Sequence, residues 1–119
     1  MSIVIKRIYD EEKQAGGYRV LIDRVWPRGI SKEKAQLDEW AKILTPTSPL
    51  RKWFNHDPEK FQEFGSKYTK ELHQSEQAKA KKKELQKIAQ DHRVVLLYGA
   101  KDEEHNHAIV LKEWLENQD

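Results

Sequence analysis

The run Val94-Val-Leu-Leu-Tyr98 is the feature that most constrains the fold of this 119-residue chain. It consists of four consecutive aliphatic residues and a tyrosine, a composition typical of a strand that is covered on both faces. Such strands lie inside parallel sheets that carry helices on each side. The run therefore predicts the centre of a sheet in an α/β fold.

Two earlier segments also read as strands. Ile3 to Ile8 is short and rich in β-branched residues, and Tyr18 to Ile22 follows the turn signal Gly16-Gly17. The gap between them is shorter than the dozen or more residues that a parallel crossover usually needs, so its length alone favours an antiparallel hairpin. The helices between the second strand and residues 94–98 instead predict that this later pair is parallel.

Apolar periodicity and capping residues predict the helices. Ser31 is a candidate N-cap, and Asp57-Pro58 combines a capping acid with proline at the first helical position. Asp102 is a candidate N-cap for the last helix. The patterns predict helices over residues 31–44, 50–54, from Pro58 past Leu72, 76–90 and 103–116.

Length and composition narrow the class of protein. One domain over residues 1–119 is expected, because this length suits a single core. The chain has no cysteine, which excludes disulfides, thiol nucleophiles and cysteine-ligated zinc. The opening apolar run breaks at Lys6-Arg7, too short for a secretory signal, and no later run approaches the ~20 residues of a membrane span. We expect a cytoplasmic protein with no membrane partner; the sequence leaves the oligomeric state open.

Polar residues follow two of the predicted strands at the point where each strand ends. Asp23-Arg-Val-Trp-Pro-Arg-Gly29 comes after the second strand. Gly99-Ala-Lys-Asp102 comes after the third, with His105-Asn-His107 close behind. In open α/β sheets ligands bind beyond the carboxyl ends of the strands, so these segments predict one shared pocket.

Arg24 and Arg28 are the candidate anion-binding residues. A guanidinium on a loop stiffened by Pro27 suits a phosphate or a carboxylate, because its fork forms bidentate hydrogen bonds. Trp26 is a candidate ligand contact between them. In the alternative interpretation, Asp23 pairs with one arginine and the indole fills the core.

His107 and Asp23 are the candidate catalytic residues. A histidine in the first turn of a helix can act as acid or base near neutral pH, or it can be a half-buried ring bonded to a backbone carbonyl. Asp23 is a general base or an orienting group. Lys101 could reach into the pocket as a point charge, and the Tyr98 hydroxyl could also contact a ligand there, although Tyr98 could equally be a packed side chain.

No metal and no cofactor are predicted. His105 and His107 are two apart on a predicted helix and point to nearly opposite sides, so one ion cannot take both. The chain also lacks the glycine spacing of either nucleotide-binding fingerprint.

Two other functions stay open. A cluster of five lysines could be a solvated helix face or, with Arg24, Trp26 and Arg28, could contact nucleic acid, although no aromatic residue lies among them to stack bases. Trp26 and Trp53 could instead anchor a protein partner. The lysines are Lys79, Lys81, Lys82, Lys83 and Lys87.

Four segments together resemble the YeaO-like family of small bacterial proteins of unknown function: Asp23–Gly29, Leu37-Asp-Glu-Trp40, Leu50-Arg-Lys-Trp-Phe54, and Leu96–Asp102 with Asn106-His-Ala108. The resemblance covers essentially the whole chain and implies a compact α/β fold in the bacterial cytosol, with no established activity. Longer relatives carry a helix between the first two strands, which implies a parallel pair. The resemblance thus favours a small, mainly parallel three-stranded sheet flanked by four to five helices.

The site residues that match the family pattern are Asp23, Arg24, Arg28, Asn106 and His107. Longer relatives have a Cys-His-Arg pattern where this chain has Asn106-His107-Ala108, so the thiol and the arginine are missing here. We expect a protein that binds or acts on a small anionic, phosphate-bearing ligand at the strand ends. Nucleic acid is the alternative partner, and whether the protein is an enzyme is left open.

Overall fold

A computed structural model describes residues 2–10 and 16–117. Among these residues, four parallel strands form one sheet in the order β1-β4-β2-β3. The strands are β1 (Ile3–Arg7), β2 (Tyr18–Leu21), β3 (Glu39–Trp40) and β4 (Val94–Tyr98). The predicted α/β fold and the parallel sheet are confirmed, with the two-residue β3 as an additional strand.

The central position of β4 explains why the hairpin suggested by the short gap is wrong. β4 lies between β1 and β2 and is parallel to both, with Leu96 opposite Ile5 on one side and Val20 on the other. All five residues of β4 are buried, and such an apolar strand is best accommodated between two neighbours. The connection from β1 begins as a 3-10 turn over Ile8–Asp10, and its middle, residues 11–15, lies outside the described residues.

The single helix predicted over residues 31–44 is also wrong. Ser31 does cap a helix, α1, but α1 covers only Lys32–Ala35 and ends at Gln36, which adopts a left-handed conformation with φ of 44°. The chain then extends to form β3 beside β2. There the indole N–H of Trp40 donates to the backbone carbonyl of Asp23 at 2.6 Å. Sheet pairing and this hydrogen bond outweigh the helical periodicity of the segment.

The remaining helices lie close to their predicted positions. Asp57 caps a 3-10 turn, Pro58–Lys60, which leads directly into α3. The last helix starts later than predicted, because Asn106 rather than Asp102 is its N-cap. The helices are α2 (Ser48–Phe54), α3 (Phe61–Gln74), α4 (Glu76–Asp91) and α5 (His107–Glu116).

The two faces of the sheet carry cores of unequal size. Val94, Leu96 and Tyr98 face the larger core, which helices α2 to α5 cover. Val95 and Leu97 face a smaller core, which α1 and the segments around it cover. Alternate β4 side chains thus serve both cores. None of the described helices is long and apolar enough to cross a membrane.

Candidate functional site

A cavity of about 460 Å³ opens at the carboxyl ends of β2 and β4. Its walls come from the loops after these two strands, from the start of α5 and from the region where α2 ends. The predicted residues that line it are Asp23, Arg24, Asn106 and His107. The loops after the two strands therefore border one pocket, which agrees with the prediction from the strand ends.

Asp23 holds the two strand ends together. Its Oδ2 accepts a hydrogen bond from the backbone N–H of Gly99 at 2.9 Å. Residue 99 has to be small here, because a Cβ on Gly99 would lie 2.9 Å from that same oxygen. The other carboxylate oxygen, Oδ1, lies 3.3 Å from Nε2 of His107. The carboxylate contacts neither Arg24 nor Arg28 within ion-pair distance, so the predicted alternative in which it neutralises an arginine is not observed among the described residues.

The His107 ring is fixed by the end of β2. Its Nε2 lies 2.7 Å from the backbone carbonyl oxygen of Ile22. A carbonyl can only accept a hydrogen bond, so Nε2 carries the hydrogen in this arrangement. Nδ1 then has no hydrogen-bond partner among the residues that the structure describes. Asp23 and Ile22 orient the ring and leave Nδ1 as the nitrogen that a ligand could use.

Asn106 is committed to the backbone of α5. Its Oδ1 accepts from the N–H groups of Ala108 at 2.9 Å and Ile109 at 3.3 Å, and its Nδ2 donates to the carbonyl of Asp102 at 2.9 Å. The side chain is almost completely buried. Asn106 therefore lines the cavity mainly as an N-cap, and Asp23 rather than Asn106 contacts the His107 ring.

Tyr98 and Asp102 support the same corner of the fold. Burial raises the pKa of Tyr98, which also shares a hydrogen bond with Asn106. The backbone N–H of Glu104 and the side chain of His105 lower the pKa of Asp102, whose carboxylate closes the turn before α5. Neither residue lines the cavity. Their contacts position the start of α5.

Like Tyr98, three further predicted ligand contacts lie outside the cavity wall. The indole N–H of Trp26 donates to the carbonyl of Ile30 at 2.6 Å, and its ring packs edge-on against Trp40 with centroids 5.3 Å apart. Arg28 has an exposed side chain, and its backbone carbonyl accepts from the Tyr9 hydroxyl at 2.9 Å. The third, Lys101, is also exposed. Their ligand-binding roles remain predictions.

The residues at the end of α2 were missed by the sequence analysis. Arg51 and Lys52 on α2, with Asn55 and His56 just after it, line the cavity. Asn55 and His56 adopt consecutive left-handed conformations with φ of 46° and 55°. Such a conformation is uncommon outside glycine, though asparagine and histidine tolerate it best. The signal in the sequence was a short basic helix that is followed by Asn-His.

The charge of the cavity wall is positive. The side chains of Arg24, Arg51 and Lys52 are exposed, and none forms an ion pair or hydrogen bond with any residue that the structure describes. Asp23 is the one carboxylate among the described lining residues, and its oxygens contact Gly99 and His107. Over the described ranges, no group of three or more candidate metal ligands occurs. The arrangement therefore suits an anion.

Comparisons with known proteins identify the family. The chain is 46% identical over 115 residues to the uncharacterised protein YeaO of Escherichia coli K12, a match that covers 97% of each chain. It is 37% identical over 111 residues to the uncharacterised protein Rv3073c of Mycobacterium tuberculosis H37Rv, covering 93% of this chain and 91% of the relative. No solved structure gives a significant match. Residues 2–119 match the family DUF488-N3i, described as the inactive DUF488-N3 subclade, and the chain therefore belongs to this family, as its resemblance to YeaO-like proteins implied.

Proposed function

We propose that this protein binds a small anionic, phosphate-bearing ligand in the cavity at the carboxyl ends of β2 and β4. The observation that carries the proposal is the excess of unpaired cations in the wall. Arg24, Arg51 and Lys52 line the cavity without an acidic partner among the described residues, while Asp23 is held by Gly99 and His107. A wall with this charge raises the local concentration of anions and favours their binding.

The three cations differ in what they offer a ligand. Arg24 and Arg51 carry planar guanidinium groups, each of which can donate two parallel hydrogen bonds to a phosphate or carboxylate. Lys52 adds a point charge with three donors. Nδ1 of His107 can accept a hydrogen bond from a ligand hydroxyl.

The same geometry favours binding over catalysis. Asp23 contacts a backbone N–H and the ring of His107, which is the behaviour of an orienting group. The family description calls this subclade inactive, which is consistent with a retained pocket that no longer performs a reaction. Catalytic roles for His107 and Asp23 stay predictions.

The nucleic-acid alternative is weakened by the contacts of the lysine cluster. Lys79 pairs with Glu76 at 2.9 Å. Lys81 pairs with Glu39 at 2.5 Å and with Glu84 at 2.9 Å. Lys82 is buried beneath the ring of Trp114. Three of the five lysines are therefore engaged within the protein, which leaves Lys83 and Lys87 as the exposed lysines of the cluster that could contact a phosphate backbone.

The protein-partner alternative is weakened in a similar way. Both Trp26 and Trp53 are partly buried, and Trp53 lies under the ammonium groups of Lys60 at 5.3 Å and Lys67 at 4.4 Å from the ring centroid. Neither indole is an exposed anchor of the kind that dominates protein interfaces.

The test is a thermal-shift panel of inorganic phosphate, common nucleotides and short oligonucleotides at two salt concentrations. A ligand present at 100 times its dissociation constant stabilises the folded state by about 2.7 kcal/mol, which is a measurable shift. We expect a small anion to stabilise the native protein and the Arg51→Gln variant to lose most of this response.

Arg93→Gln is the matched control. Arg93 precedes β4, at the opposite end of the same sheet from the cavity, and is exposed, so this substitution removes the same charge without touching the cavity wall. Its response should match that of the native protein. A shift that both variants lose equally, or one produced by oligonucleotides alone and only at low salt, would contradict the proposal.

A further inference from the structure

We infer, on the basis of the anion site proposed above, that the ligand carries its negative charge on a flat aromatic body. The inference rests on the size of the cavity and on the apolar part of its wall. Neither feature is needed to hold an inorganic anion.

The cavity is larger than an inorganic anion requires. A cavity of about 460 Å³ falls within the ~300–1,000 Å³ typical of sites that bury most of a drug-sized ligand. A water molecule takes roughly 30 Å³ in the liquid, so a free phosphate with its five heavy atoms would occupy only a small part of this space. The remaining volume suits an organic group attached to the anion.

Part of the cavity wall is apolar. The buried side chains of Phe54 and Phe64 line the cavity, with their rings nearly parallel at 16° and centroids 4.2 Å apart. Val25 stands at the rim with 67% of its surface exposed. Of the large apolar side chains that the structure describes as exposed, Val25 is the one that lines the cavity; Tyr9 and Ile43 do not. A ligand with an apolar body would cover Val25 and remove its surface from water.

The polar residues of the wall favour a flat body over a chain. The His56 ring lies 6.4 Å from the Phe54 ring, so two aromatic groups border the same space. The guanidinium groups of Arg24 and Arg51 can stack on an aromatic ring as well as bind an anion. An aryl phosphate combines both properties.

The experiment compares phenyl phosphate, methyl phosphate and benzoate by isothermal titration calorimetry. Phenyl phosphate and methyl phosphate carry the same anionic group, so the difference between them reports on the apolar body. We expect phenyl phosphate to bind at least about tenfold more tightly than methyl phosphate, since a buried ring removes several carbon atoms from water. Benzoate tests the head group: weaker binding than that of phenyl phosphate supports the phosphate-bearing ligand proposed above, and equally tight binding would contradict it.

Two variants locate the effect. Val25→Ser should weaken binding of phenyl phosphate several-fold and leave methyl phosphate unchanged, whereas Arg51→Gln should weaken both. Ile43→Ser, the same kind of change at an exposed apolar residue outside the cavity, should alter neither. The side chains of Val25, Arg51 and Ile43 are exposed, so all three variants are expected to fold.

The possible outcomes distinguish failure of the aromatic body from failure of the anion site itself. Equal affinity for methyl and phenyl phosphate, with loss of both in Arg51→Gln, would overturn the aromatic body and leave the anion site standing. Binding of none of the three compounds would overturn both.

Discussion

Two regions of this molecule are rich in cations, and they use them differently. On α4, Lys79 and Lys81 form ion pairs, and Lys82 is buried against Trp114. Around the cavity, Arg24 and Arg51 contact none of the acids that the structure describes. The sequence makes the lysine helix look like the more basic surface, yet the cavity presents the more available charge.

The difference shows what a cluster of charges can and cannot indicate. A cation that pairs with a carboxylate on another element joins the two elements, as Lys81 on α4 does through its ion pair with Glu39 on β3. A cation that has no acidic partner can attract an anionic ligand with its whole charge. The presence of a neighbouring acid, rather than the number of cations, separates the two uses.

Replacement of Asp23 should give the largest effect. Asp23→Ala removes the acceptor of the Gly99 N–H and the carboxylate beside His107, and the one hydrogen bond that is lost, to a charged group, contributes about 2 kcal/mol. We expect the free energy of unfolding, measured by urea denaturation, to fall by about that amount. Asp23→Asn keeps an oxygen that can accept from Gly99 and should cost clearly less. Equal losses in the two variants would mean that the negative charge itself is needed to neutralise the cavity's cations.

The two cation regions should respond differently when a cation is removed. Lys81→Met breaks half-buried contacts with Glu39 and Glu84 and should lower the free energy of unfolding by about 1 kcal/mol. Arg51→Met breaks no described contact and should change it by less than about 0.5 kcal/mol. Urea denaturation of both variants checks the contrast. A larger loss for Arg51→Met would show that the cavity's cations are structural after all.

The elements that sequence reasoning placed well depend on local signals. A few adjacent residues are enough to predict each of three features: the apolar strand β4, the N-cap Ser31 and the helix start at Asp57-Pro58. The segment around Trp40 was misread because its structure depends on β2, a distant partner that the local pattern does not contain. Strand formation is more dependent on such context than helix formation.

The residues of the candidate site also fall into two groups, those that the sequence predicts and those that only the assembled fold reveals. Asp23, Arg24 and His107 follow strand ends or begin a helix, so the α/β architecture points to them directly. Arg51 and His56 reach the cavity because α2 packs on α3 beside the strand ends, a placement that only the assembled fold shows. Trp26 looked like a ligand contact because a proline and two arginines surround it, but its indole bonds to Ile30 within its own loop.

Alkaline titration gives the smallest and most specific test of the paired region. Burial and a hydrogen bond to Glu39 raise the pKa of Tyr18 above 10.0, and the hydrogen bond to the same carboxylate raises the pKa of Lys81 above 10.5. A group whose pKa is raised by folding stabilises the native state fully below its unfolded pKa and loses that contribution as the pH rises through the folded value. Stability should therefore fall above about pH 10, which urea denaturation between pH 8 and about 11.5 would measure. Burial also raises the pKa of Tyr68 and Tyr98, so a Tyr18→Phe/Lys81→Met variant should show a shallower decline rather than none. An unchanged slope in that variant would mean that the contacts with Glu39 do not couple to folding, and that the cations of α4 are no more structural than those of the cavity.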